Sequence, residues 1–284
     1  MPAINALSPD KLVRLIGTPG CPTIIDLRSD AELAADPRSI PGVRRRSFAA
    51  LAEWAPGFAG RSVILVCLNG DAPSHGAAAW LRQAGAEAEL LEGGFAGWVG
   101  AGYPVFNEEP VPPRDAVGRT LWVTRARPKV DRIACPWLIR RFIDPDALFL
   151  FVAAPEVAGV AARMGATMFD VEGGDIEGEG VRWSHRGDLC TFDAMLGDFG
   201  LSGVEGLARL APIVRGADTG HPELAPEAAG LLAVSLGLSR MFADDLAQLE
   251  AGMAVYDALY RWCRDATAET HNWVSHSPAK GKRK

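Results

Sequence analysis

Short β-rich runs alternate with helical segments from the start of the chain to about residue 105, and this alternation most constrains what the chain can fold into. It predicts an α/β domain with a central, mainly parallel sheet. The runs "TIIDL" (23–27) and "SVILVC" (62–67) read as buried strands, and "AEAELLEG" (86–93) as a third. Between them, "SHGAAAWLRQAG" (74–85) reads as a helix that stops at Gly85. Ser8 before "PDKLVRLI" reads as an N-cap with proline at the first helical position.

At 284 residues the chain suits two domains better than one core. The stretch 107–119, "NEEPVPPRDAVGR", is rich in proline and charge without an apolar period, so it reads as a linker. The expected division is 1–106, linker 107–119, second domain 120–266 and a disordered basic tail 267–284. The second domain opens with "TLWVTRA" and "ALFLFV" as strands, then turns helical in "VEGLARLAPIVRGA", "PEAAGLLAVSLGL" and "ADDLAQLEAGMAVYDALYRWC". It is therefore expected to be α+β and mostly helical.

Hydrophobic residues make up 48% and charged residues 23%, the balance of an ordinary globular protein. A net charge of −6 argues against a broad nucleic-acid surface. The five cysteines are an odd, scattered number, which suits a reducing compartment. The opening has no basic start followed by an apolar stretch, and no later run has the roughly 20 apolar residues of a membrane helix. A cytoplasmic protein with no membrane partner is expected; the oligomeric state is left open.

In "VILVCLNGDAPSHG", Cys67 stands where a strand ends and a loop turns into a helix. Helix-start amides carry partial positive charge, so a thiolate held there is stabilised and nucleophilic near neutral pH. Gly70 permits the tight turn, the helix is expected to begin after Pro73, and His75 adds charge when protonated. The same placement also suits a small buried thiol.

"IIDLRSDAEL", "SIPGV", the cysteine loop and "LLEGGFAGW" follow one another in an order and spacing that resemble the rhodanese family over about residues 5–105. The resemblance implies a sulfurtransferase in which Cys67 takes sulfane sulfur as a persulfide from donors such as thiosulfate or a small persulfide. The amides of Leu68, Asn69, Gly70, Asp71, Ala72 and Pro73 would form its cradle, with Asp26 and Arg28 mainly structural and Trp98 packing. Many active family members carry arginine later in the loop. Here Asp71 stands in it, and a carboxylate beside a bound dianion costs affinity, which weighs against thiosulfate. Ser39 replaces the histidine usual before the Ile-Pro-Gly turn.

In the second domain, Pro136 of "DRIACPWLIRRF" predicts a helix start with Cys135 at or near its N-cap, while Arg132, Arg140 and Arg141 supply fixed positive charge. In "RWSHRGDLCTFDAML", Thr191 is expected to cap a helix, which leaves His185 and Cys190 on the loop before it. Cys135, His185 and Cys190 offer nitrogen and sulfur donors for a transition metal, zinc, iron or copper, with Asp170 or Asp218 able to complete the set. A hydrogen-bonded loop histidine and buried thiols account for the same residues without a metal. For His221 the expected role is interhelix hydrogen bonding.

The ordered motifs "WVTRARPKVDRIACPWLIRRFIDPDA", "FDVEGGD", "SHRGDLCTFDAML", "IVRGADT" and "GLLAVSLGLSRMFADD" resemble the C-terminal domain of bacterial chromate-resistance proteins over about residues 120–265. That resemblance implies a role in chromate tolerance. Chromate is a tetrahedral oxyanion shaped like sulfate, so helix-start amides and arginines can bind either. Three readings follow: a chromate-resistance protein with persulfide chemistry at Cys67 and an anion or metal site using some of Cys135, Arg140, His185 and Cys190; a non-enzymatic chromate-responsive sensor; or a metal-dependent oxidoreductase centred on His185 and Cys190.

Overall fold

The structure, a computed structural model, describes residues 5–171 and 181–269. The first domain runs β1 (Ala6–Leu7), α1 (Pro9–Val13), β2 (Thr23–Asp26), α2 (Asp30–Ala35), β3 (Arg38–Ser39), β4 (Val43–Arg45), α3 (Leu51–Trp54), β5 (Ser62–Val66), α4 (Ala72–Gln83), β6 (Glu87–Leu91) and α5 (Gly94–Gly100). Its five-stranded sheet has the order β1-β6-β5-β2-β4, and every pairing in it is parallel. Strands β2 and β5 are apolar on both faces because helices cover both, and Ile24, Ile25, Val63, Ile64, Leu65 and Val66 are almost fully buried.

The second domain runs β7 (Phe106–Asn107), β8 (Leu121–Arg125), α6 (Asp131–Leu138), β9 (Leu148–Val152), α7 (Val157–Met164), β10 (Thr167–Met168), α8 (Thr191–Asp198), α9 (Glu205–Asp218), α10 (Ala228–Met241) and α11 (Asp245–Asp265). A small parallel sheet, β10-β8-β9, stands against a mostly helical body. Trp122, Phe149, Phe169, Trp183 and Phe199 pack edge-on, tilted or stacked at its centre.

Pro136 lies inside α6 instead of opening it. Proline has no N–H to donate and its ring crowds the carbonyl one turn back. The helix runs on past it into a π-turn, Ile139–Ile143, closed by the Asp144 N–H donating to the Ile139 carbonyl at 2.7 Å. Cys135 is therefore in the second turn of α6, fully buried, and not at a helix N-terminus.

This π-turn is also where the two domains meet. The Gly42 N–H donates to the Phe142 carbonyl at 2.8 Å, and a Cβ on Gly42, whose φ is +76°, would sit 2.9 Å from the Arg141 carbonyl oxygen. The glycine of "SIPGV" thus meets a close backbone approach as well as a left-handed turn. Arg44 holds Asp146 with two hydrogen bonds of 2.7 and 2.9 Å. β7 pairs antiparallel with β3, and one apolar cluster runs from Ile24 and Ile64 through Phe142 to Tyr260. The expected tail lies outside the described residues from 270 onward, as does most of the acidic loop 172–180.

Candidate functional site

Two arrangements carry chemistry, one in each domain. The first is local. β5 delivers Cys67 to the C-terminal edge of the sheet, where ligands of open α/β sheets bind. Gly70, with φ +72°, turns the chain, and α4 begins at Ala72, two residues earlier than expected, with Asp71 as its N-cap residue. The loop rests on the start of α5: the Phe95 and Ala96 N–H groups donate to the Cys67 and Leu68 carbonyls at 2.9 and 2.8 Å. A Cβ on Gly94 would lie 2.4 Å from the Gly70 nitrogen and 2.5 Å from the Cys67 oxygen, so only glycine lets these backbones touch.

Cys67 is 3% exposed. Its sulfur accepts the Asp71 N–H at 3.2 Å, and its proton is within donating reach of the Ser74 hydroxyl at 3.1 Å and the Asp71 carboxylate at 3.2 Å. Asp71 thus supplies an amide that donates to the sulfur and a carboxylate that accepts the thiol hydrogen bond. Pro73, expected in the cradle, has no N–H to give. Leu68, Asn69 and Ala72 complete the loop, and Asn69, Asp71 and Ala72 are exposed.

Asp26 and Arg28 hold structure. Their buried ion pair spans 2.6 Å, Arg28 also donates to the carbonyls of Asp36 and Arg38, and its guanidinium lies 3.7 Å above the Phe95 ring. Trp98 is fully buried and donates to the Pro104 carbonyl. At the same sheet edge, Arg45, Arg46 and Arg114 line a cleft of about 690 Å³.

The second arrangement is assembled from distant segments. Val130 precedes α6 with φ +31°, an unusual conformation for a β-branched residue. It is held there by the Ser235 hydroxyl, which accepts its N–H, and by the Tyr256 hydroxyl, which donates to its carbonyl, both at 3.0 Å. This strained turn places Asp131 at the start of α6. Asp170, itself at φ +50°, follows β10 and accepts the Thr191 hydroxyl at 3.1 Å. Asp218 ends α9. His185 meets all three carboxylates, with Nε2 3.0 Å from Asp218, 3.7 Å from Asp170 and 4.0 Å from Asp131.

The hydrogen bond to Asp218 raises the pKa of His185. Burial, then the charges of Asp218 and Asp170, push the Asp131 carboxyl well above the usual range. Asp170 is compensated by Arg132 at 3.1 Å and Arg125 at 3.6 Å. Asp131 is fully buried, and one of its carboxylate oxygens has no hydrogen-bond partner. A buried charge in that state is costly unless something compensates it. One donor atom each from Asp131, Asp170 and His185 lies within 4.8 Å of the others, so these residues can hold a metal ion.

Sequence reasoning missed Asp131. The available signal was its spacing of four from Cys135, one helical turn, had α6 been read through Pro136. Cys190, not Thr191, is the N-cap residue of α8, paired with Asp193 in a capping box. Burial and then Asp131 raise the thiol pKa of both Cys135 and Cys190, which keeps them protonated. Arg140 faces elsewhere, to Glu250 at 2.6 Å and over the Phe149 ring. His221 bonds Glu223 two residues on, at 2.9 Å, where an interhelix bond was expected.

Among the described residues no helix is long and apolar enough to cross a membrane. The family profile described as "ChrB, C-terminal domain" matches residues 122–263, and that of the rhodanese-like domain matches 8–101. Protein ChrB of Cupriavidus metallidurans is 38% identical over 143 residues, which are 49% of this chain and 39% of that protein. The match thus covers about two-fifths of the relative's length. A rhodanese-related protein from Thermoplasma volcanium is 24% identical over 36% of this chain and 97% of its own, at a TM-score of 0.30. A thiosulfate sulfurtransferase from Pseudomonas aeruginosa is 25% identical over 38% and 20%, at 0.31. The sheet order and the two profiles together establish the architecture: the chain belongs to the ChrB family through its C-terminal domain and carries a rhodanese-like domain before it.

Proposed function

We propose that this chain serves chromate tolerance as a cytoplasmic sulfane-sulfur carrier, with Cys67 as the sulfurtransferase nucleophile. The observation that supports it most is the Cys67 sulfur at the mouth of α4, bonded by the Asp71 N–H at 3.2 Å with a carboxylate beside it to take the proton. Asp71 accepts the Cys67 proton, and the thiolate attacks the outer sulfur of a small persulfide, RSSH. The S–S bond breaks, RS⁻ leaves and takes up a proton as RSH, and Cys67 keeps the sulfur as a persulfide. No net oxidation occurs.

The same carboxylate selects the donor. Thiosulfate is a dianion, and at 3.2 Å from the sulfur Asp71 opposes its approach. A persulfide on a small thiol presents less charge at the reacting end, and Arg45 and Arg46 line the cleft at the same sheet edge where its carboxylates can rest.

Treatment with a low-molecular-weight persulfide, then peptide mapping by mass spectrometry, should place sulfur on Cys67 and none there in Cys67→Ser. Cells relying on Cys67→Ser should lose chromate tolerance. Absence of sulfur on Cys67, or unchanged tolerance in the mutant, would refute the proposal.

A further inference from the structure

We propose that Asp131, Asp170 and His185, flanked by Asp218, form a binding site for a divalent first-row transition-metal cation, open on one side to solvent. This is independent of sulfur chemistry at Cys67, which belongs to the other domain.

Four segments distant in sequence bring these groups together: the first turn of α6, the second residue after β10, the loop before α8 and the last residue of α9. Two donors each about 2.1 Å from one ion lie about 3.0 Å apart at a right angle and about 3.4 Å apart at the tetrahedral angle. The separations of His185 Nε2 from the carboxylates, 3.0, 3.7 and 4.0 Å, are within a few tenths of an ångström of that spacing or reach it by a small contraction.

The second observation is independent of this clustering. Asp131 is 0% exposed, yet one of its carboxylate oxygens lacks a hydrogen-bond partner. The other accepts the Phe192 N–H at 3.2 Å. Arg132 and Arg125 pair with Asp170, at 3.1 and 3.6 Å. A cation shared by the three donors satisfies that oxygen and the surplus negative charge together.

The donor set selects the class of ion. One imidazole nitrogen with carboxylate oxygens suits manganese, iron or zinc in the divalent state better than a thiophilic ion. Cys135 and Cys190, though close by, are not among the converging donors. His185 is 43% exposed at its side chain and lines a cleft of about 700 Å³ with Arg215 and His221. The ion therefore has a route in and room for water or a small oxyanion.

The test uses the full chain stripped with chelator and titrated with Mn²⁺, the free ion followed by its electron paramagnetic resonance signal, then Zn²⁺ as competitor. Saturation near one ion per chain is expected. His185→Ala and Asp170→Asn should each weaken binding at least tenfold, while His75→Ala, which removes an exposed histidine of the first domain, should bind as the native chain does. Because His185 is half exposed, its removal leaves the core intact and decides the matter even if Asp170→Asn does not fold. No saturable Mn²⁺ or Zn²⁺ binding in the native chain, or native affinity in His185→Ala, would overturn the proposal.

Discussion

The cysteine loop and the carboxylate cluster are built in opposite ways. Cys67, Asp71 and Ser74 lie within eight consecutive residues, and the site is made of backbone: an amide, a tight turn and two glycines that let loop and helix touch. Asp131, Asp170, His185 and Asp218 are side chains from segments up to 87 residues apart, as in the Asp131 N–H to Asp218 contact. Their geometry exists only once the strained turn at Val130, the α9 terminus and the loop before α8 are packed. Asp71 and Asp131 sharpen the contrast. The first is an exposed carboxylate that tunes a sulfur; the second is a buried carboxylate that calls for a cation.

The largest effect should come from breaking the backbone site. Gly94→Ala forces a side chain where the Gly70 nitrogen is 2.4 Å away, at φ +60°. Clash and strain together should cost about 2–4 kcal/mol in chemical denaturation, with loss of sulfur uptake and little change in cation binding. The side-chain site responds with the other sign. Asp131→Asn should abolish cation binding yet stabilise the cation-free chain by on the order of 1–3 kcal/mol, since a costly buried carboxylate disappears. The folded pKa of Asp131 is raised, so its destabilising effect is absent below the ordinary carboxylate range and grows as pH rises. The advantage of Asn over Asp in melting temperature should therefore be small near pH 4 and larger near pH 8.

Asp71→Asn should slow sulfur loading from a small persulfide at least about tenfold, since the carboxylate that takes the Cys67 proton is gone, and should narrow the gap between persulfide and thiosulfate as donors. The smallest effect belongs to Asp198, which holds Arg182 and Arg186 on either side of His185. Asp198→Asn should cost at most about 1 kcal/mol, as for solvent-facing pairs, and should weaken cation binding by loosening the His185 loop. Arg186 lowers the Asp198 pKa, so the native contribution is present above the ordinary carboxylate range and is lost as pH falls through the depressed value.

Much of the first domain is legible in the sequence because its signals are short-range. Apolar runs mark β2 and β5, Gly70 marks the turn, and cysteine, loop and helix are adjacent. What Asp71 does to Cys67 follows from the same adjacency. The second domain misleads at Pro136. Proline is an excellent helix opener, and nothing local says that this one stands inside a helix that runs on into a π-turn. That single misplacement moves Cys135 to a helix end it does not occupy and hides Asp131 in an imagined loop. His185, Asp170 and Asp218 can be named as polar residues at element ends, but convergence with Asp131 depends on long-range packing. Arg140 shows the converse: its charge is consumed by Glu250 on α11, a partner 110 residues away.

The central claim is that one chain holds two separate chemistries, and native mass spectrometry of the full chain exposed to a small persulfide and to Mn²⁺ tests it most directly. The account predicts one added sulfur and one ion on the native protein, sulfur alone lost in Cys67→Ser and the ion alone lost in His185→Ala. Sulfur found on Cys135 or Cys190 in place of Cys67, or both additions lost together in either variant, would contradict it.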